Sequence, residues 1–104
     1  MIYVEASLRV VPGKMGEFME FFEKEFLPAS DKVGMKLIAQ WRTTIGTLDE
    51  VTDLWGYDDL FHMQRVQEAR TQSPEFRKVS SHLRALIAYE ATRLMTPTSL
   101  SSMK

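Results

Sequence analysis

The residues that could do chemistry are concentrated in one stretch, WRTTIGTLDEVTDLWGYDDL at positions 41–60, with His62 just beyond it. Asp53 is the odd member. It alternates with Val51 and Trp55, on what a period of two makes a buried strand face. A carboxylate withdrawn from water there has its pKa raised, which suits a general base. Hydrogen-bonded to a backbone group, or near an exposed strand edge, it would be structural only. Trp41, Trp55 and Tyr57 could wall a pocket for a small apolar or aromatic compound. They could equally be core, since burying such rings is a major stabilising term in a small domain. Arg42 offers a planar fork to an anionic ligand. Its plainer use is an ion pair with Glu50, Glu90 or an acid of a partner chain. His62 follows Asp58 by four residues, so an acid–histidine contact on a helix is open to it, and it joins Asp53 as a catalytic candidate.

Other chemistries find few residues to work with. With two histidines and no cysteine there is too little to build a transition-metal site, and no metal or organic cofactor is expected. The sequence has no G-x-G-x-x-G, no P-loop and no G-x-S-x-G elbow, so nucleotide binding and serine hydrolysis lack support. Its net charge of −1 and its scattered basic residues argue against a nucleic-acid or anionic-lipid partner. The absence of cysteine suits a reducing compartment. The first residues alternate like a strand and lack the basic and apolar regions of a signal peptide. No apolar run approaches the ~20 residues of a membrane span. The expected location is the cytoplasm.

The elements that must position these side chains follow from the periodicity. The length of 104 residues predicts one domain, residues 1–96, followed by a polar tail, 97–104, loosely held or frayed. Such a chain buries about 60–65% of its unfolded surface, so any internal pocket is small. Ile2, Val4, Ala6, Leu8 and Val10 share one face of a first strand, which Pro12-Gly13 breaks. Met15, Phe18, Met19, Phe22 and Phe26 then recur at helical steps, with glutamates on the remaining arc. Pro28 bends or ends the regular part of this helix, and Gly34 closes it.

A second strand is expected over 35–45, with Leu37, Ala39 and Trp41 on one face and Ile38, Gln40 and Arg42 on the other. A hairpin loop at 46–49 leads to a third strand carrying Val51, Asp53, Trp55 and Tyr57 on one side. Asp58 or Asp59 caps the next helix, and Ser73-Pro74 starts a short further one presenting Phe76 and Val79. The last strand is expected over 82–95, with His82 at its start.

The resulting order is α+β, βαββαβ, the ferredoxin-like split βαβ arrangement. Right-handed crossovers put both helices on one face of a four-stranded antiparallel sheet. The other face mixes Ile38, Leu86 and Ala88 with Arg9, Gln40, Arg42, Arg84 and Glu90, a pattern that fits solvent and a semi-polar interface to a second sheet equally well.

With that order in hand, WRT-x-x-G-x-L-x-E-V followed by LWGYDDL and Arg65 resembles the signature hairpin of the NIPSNAP family. The likeness continues through the PGK turn at 12–14, the acidic first helix, Ser73-Pro74-Glu75-Phe76, and Glu90 with the ending at 94–97. It implies pairing of two such sheets face to face as a dimeric α/β barrel, hence a homodimer with the mixed face inside. Five positions depart from the family pattern. Val4, Ala6 and Leu8 stand where Glu-x-Arg-x-Tyr is common, Asp53 where a histidine is frequent, and Gly56 where a bulkier residue is usual. A function resting on those polar groups would be lost or altered in this chain.

Two readings of function remain. Related barrels include cofactor-independent monooxygenases with a pocket between sheet and helices. There, Trp41, Trp55 and Tyr57 would hold an apolar or aromatic compound, while Arg42, Asp53 or His62 orients it. In the alternative the protein is a non-catalytic scaffold that recruits partners on its outer surface. The architecture alone does not choose between them.

Overall fold

The computed structural model describes residues 1–103, so the last residue of the 97–104 tail, Lys104, lies outside the described residues. Four strands, β1 (Ile2–Val10), β2 (Lys36–Arg42), β3 (Glu50–Tyr57) and β4 (Ile87–Met95), form one antiparallel sheet in the order β2-β3-β1-β4. The helices α1 (Met15–Phe21), α2 (Leu27–Lys32), α3 (Leu60–Gln72) and α4 (Pro74–Leu86) cover one face of it. This is the ferredoxin-like α+β fold expected from the periodicity.

The covered face holds the core. Leu8, Val10 and Val51 from the sheet meet Phe18, Phe22 and Phe26 from the first helical rod. That rod is not uniformly α-helical. Residues Phe22–Phe26 form a π turn between α1 and α2, and Leu27 N–H bonds back five residues to the Phe22 carbonyl. The widened turn lies just before Pro28, which has no N–H to give. Pro28 therefore neither ends the helix nor stops it at that point; α2 continues to Lys32, and Gly34 turns the chain with φ near 93°. The π turn brings Phe21 and Phe22 both inward and carries Phe26 against Trp55 and Phe76.

Three boundaries differ from expectation. The second strand ends at Arg42, and the connection to β3 is the longer segment 43–49, with Asp49 in the left-handed region at φ 58°. The short final helix instead runs thirteen residues to Leu86, so His82 is helical and packs on the Phe21 ring. Leu83 and Leu86 continue the Phe76–Val79 stripe at helical steps and are buried with it. An alternation of apolar residues starting at Leu83 had pointed to strand, and the continuous helical stripe wins because it reaches the core. Ser73 alone separates α3 from α4, and its hydroxyl accepts from Phe76 N–H at 3.0 Å.

Both edge strands contain a bulge. The β2–β3 register shifts at Ile38 and the β1–β4 register shifts at Ala88, each strand gaining one residue over its partner. Because side chains alternate, one extra residue exchanges the faces of everything beyond it. Gln40 and Arg42 thus turn to the helix side, and Trp41 turns away. Glu90 and Thr92 likewise come to the helix side, opposite Leu8 and Ala6. This corrects the expected assignment of Gln40, Arg42, Trp41 and Glu90. Ile38 caps Gly56 on the outer face, where a Cβ would meet its Cδ1 at 2.9 Å. That contact accounts for glycine at this position.

Candidate functional site

The register builds the site. One row across the covered face reads Gln40, Asp53, Ala6, Thr92, and its side chains are short or polar. The flanking rows, Leu37–Trp55–Val4–Leu94 and Arg42–Val51–Leu8–Glu90, are bulkier. The helices cannot close down over the short row as they do over Leu8 and Val10, and a cavity of about 280 Å³ is left. That is near the lower end for ligand pockets.

Asp53, Trp55 and Tyr57 line the sheet side of this cavity, with Glu90 and Thr92 at its β4 edge. Phe26 of the π turn, Leu83, Ser80 and Arg84 of α4, and Arg70 of α3 line the helix side. The space therefore has aromatic walls, one buried carboxylate, a second at its rim, and two guanidinium groups.

Asp53 is 2% exposed. Burial pushes its pKa up to about 6, well above the ordinary value of 3.8. Gln40 works in the opposite direction by donating Nε2–H to Oδ1 at 2.9 Å, and the Trp55 indole does so more weakly. The neighbouring negative charge of Glu90 adds to the upward shift. The outcome is a carboxylate that is positioned on one oxygen, short of water, and able to exchange a proton near neutrality. Tyr57 is also raised by burial, with Arg70 opposing. Arg70 is held half-buried with its guanidinium carbon 4.9 Å above the Phe76 ring.

The remaining sequence candidates are placed elsewhere. His62 stands in the first turn of α3, where the Asp59 carboxylate caps its backbone N–H at 2.7 Å. Its Nδ1 accepts from Asp58 N–H at 3.0 Å, and its ring meets the Tyr57 ring edge-on at 5.6 Å. It supports a cavity wall and does not line the cavity. Trp41 is 56% exposed on the face away from the helices. Arg42 is exposed at the end of β2 and, among the described residues, forms no ion pair; the Glu50 carboxylate instead accepts from the Thr43 hydroxyl. The structure thus brings together Asp53, Trp55 and Tyr57, and leaves Trp41, Arg42 and His62 outside.

Sequence reasoning passed over Gln40, Arg70 and Arg84 in the site. Gln40 is delivered by a bulge that no residue type announces. Arg84 had a usable signal, the stripe from Phe76 to Leu86, which places it on a helix. Among the described residues no cluster of three or more histidine and carboxylate groups is gathered as a metal ligand set, and no helix is long and apolar enough to cross a membrane.

A family model described as NIPSNAP matches residues 3–102. A NIPSNAP family protein from Agrobacterium tumefaciens superposes with a TM-score of 0.91 at 26% identity, covering 99% of this chain and 98% of its own. An uncharacterized NIPSNAP domain protein from Burkholderia xenovorans superposes with a TM-score of 0.89 at 22% identity, covering 97% and 98%. SnoaB, a cofactor-independent oxygenase from Streptomyces nogalater, shares the fold at a TM-score of 0.70 and 14% identity over 99% and 97%. No curated protein matches the sequence.

Proposed function

The chain belongs to the NIPSNAP family, and from that premise we propose that it binds a small apolar or aromatic molecule in the cavity between sheet and helices and removes a proton from it. The observation that carries this reading is Asp53, a buried carboxylate at the cavity wall whose side-chain partners are the Gln40 amide and, more weakly, the Trp55 indole.

 The Gln40 amide fixes one oxygen, and the carboxylate lines the space where a ligand would lie. The carboxylate would accept a proton from an acidic C–H or O–H of the bound molecule, becoming a neutral acid that burial favours. Trp55, Tyr57 and Phe26 would hold the planar part of the ligand by ring contact. Reaction of the resulting electron-rich anion with dioxygen, after the oxygenase with which the chain shares its fold, is the first chemistry to try.

The working unit in this proposal is a homodimer, with the uncovered sheet faces packed together. Trp41 and Tyr89 support it, standing on that face 56% and 60% exposed. Large aromatic side chains left in water on a helix-free sheet favour a second layer. A reducing compartment such as the cytoplasm remains the proposed setting, because the chain has no cysteine to oxidise.

Native mass spectrometry on protein freshly purified from cells tests both parts. The expected result is a dimer carrying extra mass that is lost in Trp55→Ala while the dimer persists. A monomer at micromolar concentration would contradict the paired sheets. A dimer that never retains or binds a small molecule, with Trp55→Ala and Asp53→Asn altering stability alone, would make these side chains structural and favour the scaffold reading.

A further inference from the structure

Beside the cavity, and sharing a wall with it, runs a groove of about 490 Å³ between α3 and α4. Arg70 and Thr71 of α3 line one side, and Arg77, Ser80 and Arg84 of α4 the other. Arg70, Ser80 and Arg84 face both spaces. Arg77, Ser80 and Arg84 follow one another at helical steps, so they form a track on one side of α4. Seven residues at helical rise make that track about 10 Å long.

The charge of this track is unbalanced. Among the described residues, no carboxylate lines the groove. Among the described residues, none of the three arginines forms an ion pair, so no carboxylate neutralises the charge they bring together. The chain as a whole is slightly acidic, at −1. What sets the groove apart is the gathering of three guanidinium groups in one lining that holds no carboxylate among the described residues. Their mutual repulsion is relieved by an anion, and the planar forks and nearby hydroxyls are suited to carboxylate or phosphate oxygens. Arg70 is fixed against Phe76 at 4.9 Å, which limits the side-chain freedom lost on binding.

We propose that the ligand is an anion whose carboxylate or phosphate group docks on Arg70, Arg77 and Arg84 in the α3–α4 groove while its apolar portion enters the cavity beside Asp53. This rests on the reading of the cavity as a ligand site and adds the substrate class. It also separates the charges sensibly. The anionic group is held on the helix side by cations, and the proton is taken on the sheet side by a carboxylate, so the two negative groups are kept apart.

The test uses the full chain, labelled with nitrogen-15, and three probes of one shape: 4-phenylbutyrate, 4-phenylbutyl phosphate and the neutral 4-phenylbutyramide. The Trp55 indole N–H reports the cavity, the Ser80 and Thr71 amides report the groove, and the exposed Trp41 indole is an internal reference. All three probes are expected to move the Trp55 signal, with an anionic probe binding about tenfold or more tightly than the amide. Arg77→Gln, at an exposed position that leaves the fold intact, should remove about tenfold of the anion's affinity and none of the amide's. Lys78→Gln, the same charge change one residue away, should remove none. Whichever anionic probe binds tighter assigns the group as carboxylate or phosphate. If the amide binds as tightly as the anions, or Arg77→Gln and Arg84→Gln leave anion affinity unchanged, the groove is overturned and the cavity reading stands. If anions move Ser80 and Thr71 without Trp55, the groove is a separate site and the proposal is overturned. If no probe moves Trp55, the cavity reading fails, and this proposal with it.

Discussion

The two faces of the sheet break opposite rules. On the helix-covered face a carboxylate, Asp53, is buried at 2% exposure among aromatic rings. On the uncovered face, aromatic rings stand in water, with Trp41 and Tyr89 more than half exposed. Burying a carboxylate costs free energy that an alanine or valine there would not, and exposing a tryptophan forgoes a gain that folding normally takes. Under the proposed function, a ligand and its proton would account for the first departure, and a second copy of the sheet for the second. A register shift links the two faces, since the bulge at Ile38 that brings Gln40 to Asp53 also sends Trp41 outward.

Substitutions can break that comparison. Trp55 contacts Phe22 and Phe26, with ring centroids 6.3 Å and 6.4 Å away, so Trp55→Ala should cost about 3–5 kcal/mol in urea unfolding. Trp41→Ala should change the stability of the isolated subunit by only about 0.5 kcal/mol. Comparable costs at the two positions would erase the distinction between the faces.

Asp53→Asn should act in the stabilising direction. The folded-state pKa of Asp53, about 6, lies above its ordinary value of 3.8. The fold therefore holds a proton that the unfolded chain releases between those values. Stability from this group is greatest below the unfolded pKa and falls as pH rises through about 6. Near pH 8 the asparagine variant should be about 2–3 kcal/mol more stable than the native chain, a difference that vanishes near pH 3. Thermal unfolding at both pH values checks this, and proton transfer to position 53 should be lost in the variant at any pH.

On the other face, Trp41→Glu should weaken the proposed dimer by about tenfold or more, read by sedimentation equilibrium, while each subunit stays folded. The smallest effect is expected for Gln40→Ala. Loss of the 2.9 Å hydrogen bond should cost about 1 kcal/mol above pH 7 and carry the Asp53 midpoint higher still.

Much of this architecture is legible in residue order. The alternation in β1, the phenylalanine steps of α1 and the Ser73-Pro74 start of α4 each state their element, and Asp53 was conspicuous as the one charge in an apolar alternation. The faces of β2 and β4 were not legible beyond their bulges. A bulge is an extra residue chosen by how the whole strand fits its neighbour, and Ile38 and Ala88 look like any other strand residues. That is why Trp41 and Arg42, read as pocket residues beside Trp55, are outside the cavity, and why Gln40 and Glu90 were assigned to the wrong side. The extent of α4 was missed for a different reason. Leu83 belongs to a period of two and a period of three to four at once, and only packing against the core decides between them.

The central claim is that Asp53 is a desolvated carboxylate ready to take a proton at a ligand cavity. Its most direct test is a carbon-13 NMR titration of the Asp53 side-chain carboxyl, assigned by comparison with Asp53→Asn. The account predicts a midpoint near 6, well above the ordinary value of 3.8. A midpoint near 4 would mean that water reaches the carboxylate freely, and would contradict the assignment of Asp53 as the base.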